Sequence, residues 1–398
     1  MLDCKVILKA GKEEPLRRFH PWVFSGAIAQ VDGKPADGDI AGVFDRKGNL
    51  LGVGHFHHGS IAVRILHFGE ADIRRAAFWE QKLRLALSLR HRVGIPSSQT
   101  DCFRLVHGEG DGLPGLIIDI YGATAVLQCH SIGMHRQRET IAGALAVVLD
   151  AALKNVYDKS AEALPPNYAA GMSNGYLVKN DTHAAGSAVV TENGRQFRVD
   201  WESGQKTVFF LDQRDNRLLL GRYVSGRTVL NTFCYTGGFS AYALKEGAAL
   251  VHSVDVSDRA VELTIENMAL NAPYGGKHEA FAEDTLRYLK ETDRQYDVLV
   301  VDPPAFAKSL EKRHNAVQGY KRLNAAAFER VSPGGLLFTF SCSQVVDRQL
   351  FYNTIVAAAL ESGRKANVLH HLTQGPDHPV SLFHPEGSYL KGLVLFVE

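Results

Sequence analysis

Two short segments of this chain hold side chains whose types and positions suit covalent and hydrogen-bonding chemistry. In the first, the apolar β-branched run Val298, Leu299, Val300, Val301 ends in Asp302-Pro303-Pro304, followed by an aromatic at Phe306. Two adjacent prolines cannot continue a sheet ladder, so a buried strand must stop there and present a stiff loop with a carboxylate at its tip. Loops beyond the carboxyl ends of strands are where open α/β sheets hold ligands. An acid, a rigid backbone and a flat ring suit a planar, hydrogen-bonding group such as a nucleobase. In the second, Thr339-Phe340-Ser341-Cys342-Ser343 repeats the layout with a thiol at the strand's end. A thiolate that adds to carbon 6 of a pyrimidine makes carbon 5 nucleophilic toward a methyl group, and β-elimination then frees the enzyme. Asp302 would hold the N3/N4 edge of a cytosine. A lone cysteine near a strand is more often a small buried hydrophobe, and a strand-ending acid is often a helix cap or turn residue. The flanking serines, and the position at a carboxyl edge, favour the reactive reading.

These loops need elements to hold them, and from about residue 190 onward strands and helices alternate. Strands are expected at Thr228–Asn231, Val251–Asp255, Glu279–Ala282, Asp297–Asp302, Gly335–Phe340, Lys365–His371 and Gly392–Val397. Amphipathic helices separate most of them; the last two strands lack a long one and are expected to close the sheet as an antiparallel pair. The pattern predicts a mostly parallel sheet covered on both faces.

The first strand runs into Asn231, Thr232, Phe233, Cys234, Tyr235, Thr236, Gly237 and Gly238, a strand, glycine loop and helix start. It is neither G-x-G-x-x-G nor a Gly-Lys-Ser/Thr phosphate loop, which disfavours a pyrophosphate cofactor. Asp255 ends the second strand, where an acid takes ribose hydroxyls, and Asp284 follows the third, where an adenine amine could be capped. A nucleoside without a phosphate grip points to S-adenosylmethionine. The segment from Lys206 through Phe210 to Gln213, Arg214 and Arg217 has the aromatic and polar groups of a lid over adenosine.

The earlier half reads as two modules. Short strands broken by turns, among them Ala41–Phe44, Leu51–Gly54 and Ile61–Leu66, predict a small β-barrel over residues 1–72. A central α+β module is expected over 73–185, with a helix at 72–95, a hairpin around Tyr121-Gly122 and a helix from Met134 to Leu149. The catalytic domain is then 186–398. Arg17 and Arg18, beside His20, Trp22 and Phe24, mix cations with aromatics, which suits phosphate contact and base stacking; in the structural alternative Trp22 and Phe24 are core.

The net charge of +1 carries no global nucleic-acid signature, so RNA contact must come from local patches. No apolar run reaches about 18 residues, which disfavours a membrane span. Five cysteines, dispersed and without a C-x-x-C pair, argue against a disulfide framework and a zinc site and for a reducing cytoplasm. The histidines lack metal-ligand spacing, so no metal is expected.

At these motifs the chain resembles the bacterial 23S rRNA cytosine-C5 methyltransferases that carry an N-terminal PUA domain. The resemblance runs through His20–Gly26, Gly108–Gly115, Phe210–Asp215, Tyr235–Phe239, Asp302–Pro304, Ser341–Ser343, Asp377–Val380 and Pro385–Gly392, in that order. It implies a PUA barrel, a central EEHEE-type module and a Rossmann-like class I methyltransferase domain with a seven-stranded sheet, assembled as a homodimer. It also implies Cys342 as nucleophile, and Gln213, Arg214, Asn231, Phe233, Tyr235, Thr236, Gly237, Asp255, Asp284 and Asp302 around the cofactor. Arg17, Arg18, Pro303, Phe306 and Lys308 are the candidate substrate contacts, and 23S rRNA or a large-subunit assembly intermediate is the expected partner. One departure stands out: many RNA enzymes of this chemistry carry a second cysteine after the proline of the strand-four motif, where this chain has Pro304 and Ala305. Two rival functions remain open, N-methylation at N2 of guanine without a thiol, and RNA binding by a degenerate enzyme.

Overall fold

Val298 to Val301 are buried without exception, as expected of a strand covered on both faces. Around this strand the fold is built. The structure, a computed structural model, describes all residues except 1, 182–185, 203–208 and 308. Lys308, and Lys206 to Val208 of the expected lid, lie outside the described residues.

The chain divides into two compact units. The first comprises Met1–Val190, Val199–Val208 and Pro376–Gly387; the second comprises Thr191–Arg198, Phe209–Gly375 and Ser388–Glu398.

Within the first unit, strands β1 to β6 (Cys4–Leu8, Trp22–Phe24, Ile28–Asp32, Ile40–Phe44, Leu50–Phe56, Ile61–Phe68) form one sheet in the order β2-β6-β5-β4-β1-β3. Strands β7 to β11 (Cys102–His107, Leu116–Tyr121, Thr124–Cys129, Asn155–Asp158, Gly175–Lys179) form a second sheet, ordered β11-β10-β9-β8-β7. The expected EEHEE order runs from β8 through the helix Arg138–Leu149 to β11, and β7 adds a strand at the edge. One side-chain expectation fails: Phe24, read as core, is 49% exposed. Strand β2 ends there, and its outward-facing position leaves the ring uncovered.

A hairpin of β12 (Ser187–Glu192) and β13 (Arg195–Asp200) precedes the large sheet. That sheet holds β14 to β20 (Thr228–Thr232, Leu250–Asp255, Lys277–Ala282, Tyr296–Val301, Val331–Ser341, Ala366–Leu372, Lys391–Val397) in the order β16-β15-β14-β17-β18-β20-β19. Six of these strands run in one direction, and β20 runs antiparallel to both of its neighbours, β18 and β19. All seven strands fall where the alternation predicts. The order reverses between β14 and β17, the switch point at which doubly wound sheets leave a crevice. The core beneath it packs Leu230, Leu299, Val301 and Leu337 against Tyr320, Phe328 and Phe351 of the covering helices.

Candidate active site

The parallel register sets Thr232, Val301 and Thr339 level with one another, so the loops after β14, β17 and β18 leave the sheet at one edge. The loop after β14 is shaped by its backbone. Phe233, Tyr235 and Gly237 have φ of 53°, 49° and 75°, and the helix Gly238–Lys245 begins immediately after. Two of the three carry side chains, for which left-handed backbone is uncommon, and such strain concentrates at ligand sites. The helix Asp258–Leu270 holds the loop in this shape: Thr264 Oγ1 donates to the Tyr235 carbonyl at 2.9 Å and Asn267 Nδ2 to the Thr236 carbonyl at 2.8 Å. A Cβ on Gly237 would lie 2.8 Å from Thr264 Cγ2, so this position admits only glycine.

Asp255 accepts the Tyr235 amide at 3.0 Å on one carboxylate oxygen and the Ser257 amide at 3.0 Å on the other. Each oxygen keeps a second lone pair, enough to receive two ribose hydroxyls. Phe210, 42% exposed, meets the Tyr235 ring edge-on at 5.2 Å. Together these groups fit a nucleoside: an acceptor pair for the sugar, aromatic faces for the base, and a backbone cradle without phosphate-binding residues.

Other expected cofactor residues lie deeper. Asn231 is buried, its amide donating to Ser240 Oγ at 2.9 Å beneath the loop. Thr236 is buried as well. Arg214 is buried 3.6 Å from Glu192, a fully buried carboxylate also gripped by Arg217 at 2.8 and 2.7 Å. Asp284 is exposed and caps the helix Thr285–Glu291 by accepting the Arg287 amide at 2.9 Å. For Asn231, Arg214 and Asp284 the visible partners are structural.

Gln213 is oriented from both ends. Its Oε1 accepts Asn216 Nδ2 at 2.6 Å, and its Nε2 donates to Asp302 Oδ2 at 2.9 Å. Burial, reinforced by the charge of Asp212, pushes Asp302 up to about 7, against the Gln213 hydrogen bond and the charge of Arg217. Pro303 is buried and Pro304 exposed; the Phe306 ring lies 4.6 Å from that of Tyr320, over Gly319, where a Cβ would come within 3.0 Å of it.

Cys342 follows β18 and is half-buried between two buried serines. Ser343 Oγ donates to the Ala307 carbonyl at 2.7 Å, which ties the thiol loop to the Asp302-Pro303-Pro304 loop. Burial, then the charges of Asp302 and Asp212, push the thiol up to about 12; among the described residues the charge of Lys391 acts the other way. Lys391 pairs opposite Ser341 in the antiparallel register of β18 and β20. Its buried ammonium donates to the carbonyls of Ser343 at 2.6 Å and Tyr389 at 2.7 Å, and burial brings it down to about 8. Sequence reasoning assigned no role to Lys391, Tyr389 or Asp212.

Arg17 and Arg18 lie in the first unit and are exposed, Arg17 at 3.4 Å from Asp45. The same unit holds the one His/carboxylate group with ligand-like spacing among the described residues, His20, His384 and Glu386. His20 Nδ1 accepts the Trp22 amide at 3.2 Å, which leaves the neutral ring's proton on Nε2, the atom facing Glu386 at 3.8 Å. A metal at Nε2 would have to displace that proton and break the Trp22 bond, so the donor set does not suit one.

Residues 6–68 match the PUA-like domain family and residues 180–381 the S-adenosylmethionine-dependent methyltransferase family. A "Ribosomal RNA large subunit methyltransferase I" from Shewanella amazonensis is 38% identical over 402 residues, 99% of each chain. One from Alteromonas mediterranea is 38% identical over 403 residues, 99% of this chain and 98% of its own. The chain belongs to the ribosomal RNA large subunit methyltransferase I family. Its cofactor is S-adenosylmethionine, which the β14 loop and Asp255 fit. The fold of this family member is shared by a SAM-dependent methyltransferase from Streptococcus mutans, 22% identical with a TM-score of 0.83 over all of both chains. It is shared equally by a methyltransferase complexed with SAH, 22% identical with a TM-score of 0.84 over all of both chains.

Proposed function

We propose that this methyltransferase forms 5-methylcytidine in large-subunit rRNA, with Cys342 as nucleophile and Asp302 as the acid that holds the base. The observation that carries this reading is the meeting of a half-buried thiol and a near-neutral carboxyl on two loops joined by the Ser343–Ala307 hydrogen bond. An N-methylating enzyme would need the carboxylate but has no use for the thiol or its ammonium neighbour.

The chemistry follows from the charges. Gln213 occupies one oxygen of Asp302, which leaves the other to carry a proton and donate to cytosine N3. Cys342 first gives up its proton to solvent, and as its sulfur bonds to C6 the ring's electron pair moves toward N3 and takes the proton from Asp302. Protonating N3 is worth about 10²–10⁴-fold in such additions. The Lys391 ammonium favours the thiolate before attack and after its release. When bound, S-adenosylmethionine supplies the electrophilic methyl that C5 takes. Phe306 offers a half-exposed ring for stacking on the target base, with Pro303 stiffening the loop beneath it. Arg214 and Gln213 anchor the segment that faces Asp302, and Tyr235, Phe233 and Gly237 shape the cofactor loop. We assign residues 1–72, with Arg17 and Arg18, to rRNA binding, 73–185 to a central module and 186–398 to catalysis.

The test is to incubate the protein with unmodified 23S rRNA and methyl-labelled cofactor, digest the RNA and separate the nucleosides. Label in 5-methylcytidine is expected; label in N2-methylguanosine would overturn the reading.

A further inference from the structure

The covalent route leaves one proton without an acceptor: the hydrogen on C5, which must depart before Cys342 can be eliminated. Among the described residues, four ionisable side chains are coupled electrostatically to the thiol: Asp302, Asp212, Lys391 and Tyr320. Asp302 is committed to N3. Lys391 spends two of its donors on backbone carbonyls and serves as a cation. The phenol of Tyr320 is pushed up to about 12 by burial and is a proton donor at neutral pH.

Asp212 remains, and its surroundings are unusual. It precedes Gln213 in the turn Leu211–Gln213, so the residue that orients Asp302 and the second carboxylate are fixed by one segment. Tyr389 donates its hydroxyl to Asp212 Oδ2 at 2.6 Å, and the Asp212 carbonyl accepts the Gly375 amide at 3.2 Å. Oδ1, by contrast, is the one carboxylate oxygen among the described residues that is buried without a hydrogen-bond partner. Leaving a buried acceptor unpaired is costly, and such groups mark strain or catalysis. Hydrogen bonds and chain neighbours link Asp302 through Gln213 and Asp212 to Tyr389, Lys391 and Ser343, the residue after Cys342.

We propose that Asp212 is the base that removes the C5 proton in the elimination step, an assignment that rests on the C5 reading above. Asp212 Oδ1 takes the hydrogen from C5, and the C–H electron pair becomes the C5–C6 double bond. The C6–sulfur bond breaks, its pair leaving on Cys342 as thiolate beside Lys391. The proton on N3 returns to Asp302. The two carboxylates thus divide the work: Asp302, pushed toward neutral pH by burial, acts as the acid, and Asp212, with its unpaired Oδ1, acts as the base.

The experiment uses the full-length Asp212→Asn variant with 23S rRNA and methyl-labelled cofactor, resolved on denaturing protein gels. Elimination blocked after methyl transfer would trap the RNA on the enzyme, so a labelled, heat-stable RNA–protein adduct is expected, with free 5-methylcytidine reduced about 100-fold or more. Release of product at the wild-type rate would overturn the assignment. So would loss of both adduct and methyl transfer, or loss of cofactor binding by calorimetry, because Asp212 would then act before elimination. Cys342→Ala, run alongside, separates the two claims. An adduct that vanishes in the double variant belongs to Cys342, whereas methyl transfer by Cys342→Ala alone would overturn the covalent reading and this assignment with it.

Discussion

Cys234 and Cys342 invite comparison. Each follows a parallel strand of the same sheet, and burial pushes each thiol up to about 12. The surroundings give this shared value different meanings. Cys234 is buried with its sulfur 3.5 Å from Thr264 Oγ1, and the charge acting on it, that of Asp255, opposes ionisation. The Thr264 hydrogen bond favours its thiolate but does not outweigh burial. At Cys342 an ammonium favours the thiolate, and one of the two opposing carboxylates loses its charge when protonated near pH 7. One thiol is fixed in its protonated state, and the other is held in balance by groups that titrate in the working range. A raised pKa is therefore not by itself an argument against a nucleophile; what decides is whether its causes can be switched.

The largest test of this contrast is to remove each sulfur. Cys342→Ala is expected to lower methyl transfer on the order of 10³-fold or more, as loss of a covalent nucleophile does. Cys234→Ala should keep the rate within about 3-fold and lower stability by about 1 kcal/mol, the cost of a small buried contact. Comparable losses in both variants would erase the distinction. A smaller effect is expected from the cofactor loop, where conformation rather than charge is decisive. Gly237→Ala places a Cβ against Thr264 at a left-handed φ, a cost of about 1–3 kcal/mol. Calorimetry should show cofactor binding weakened by tenfold or more, with the alkylation rate of Cys342 unchanged.

The smallest expected effect lies in the pH profile. The folded Asp302 pKa of about 7 stands above the unfolded carboxylate value of about 4. The folded state therefore holds this proton more tightly between those values, so the stability it contributes is full below pH 4 and is lost as pH rises through 7. Catalysis should follow the same limb, kcat/KM falling about tenfold per pH unit above 7. In Asp302→Asn that limb should disappear from a lower plateau, as should the decline in urea stability between pH 4 and 7. A limb that survives belongs to another group.

Whereas β16 and β19 are mixed segments of alternating exposure, strands β17, β18 and β20 were legible as apolar runs flanked by Asp, Pro or Gly. Asp302 and Cys342 were legible for the same reason, since each ends such a run. Lys391, Tyr389 and Asp212 were not. Nothing local distinguishes them from ordinary polar residues; their positions depend on β20 pairing with β18, and on a turn that lies almost ninety residues before Asp302 (302 against 213, bonded at a separation of 89). Arg214 and Asp284 carry contacts that the motifs did not foretell. Proximity to a motif made them cofactor candidates, while their side chains face a buried glutamate and a helix amide. Periodicity reports which face a residue takes, and charge pairing across the sheet is beyond its range.

Strand β20 is the last of the seven to be synthesised, yet it inserts between β18 and β19. Until it emerges, β18 lacks its antiparallel partner and the Ser343 carbonyl lacks its lysine donor. The ammonium that favours the Cys342 thiolate is therefore supplied by the last strand to be made. Closing the sheet and setting Lys391 beside the Cys342 loop are thus a single event.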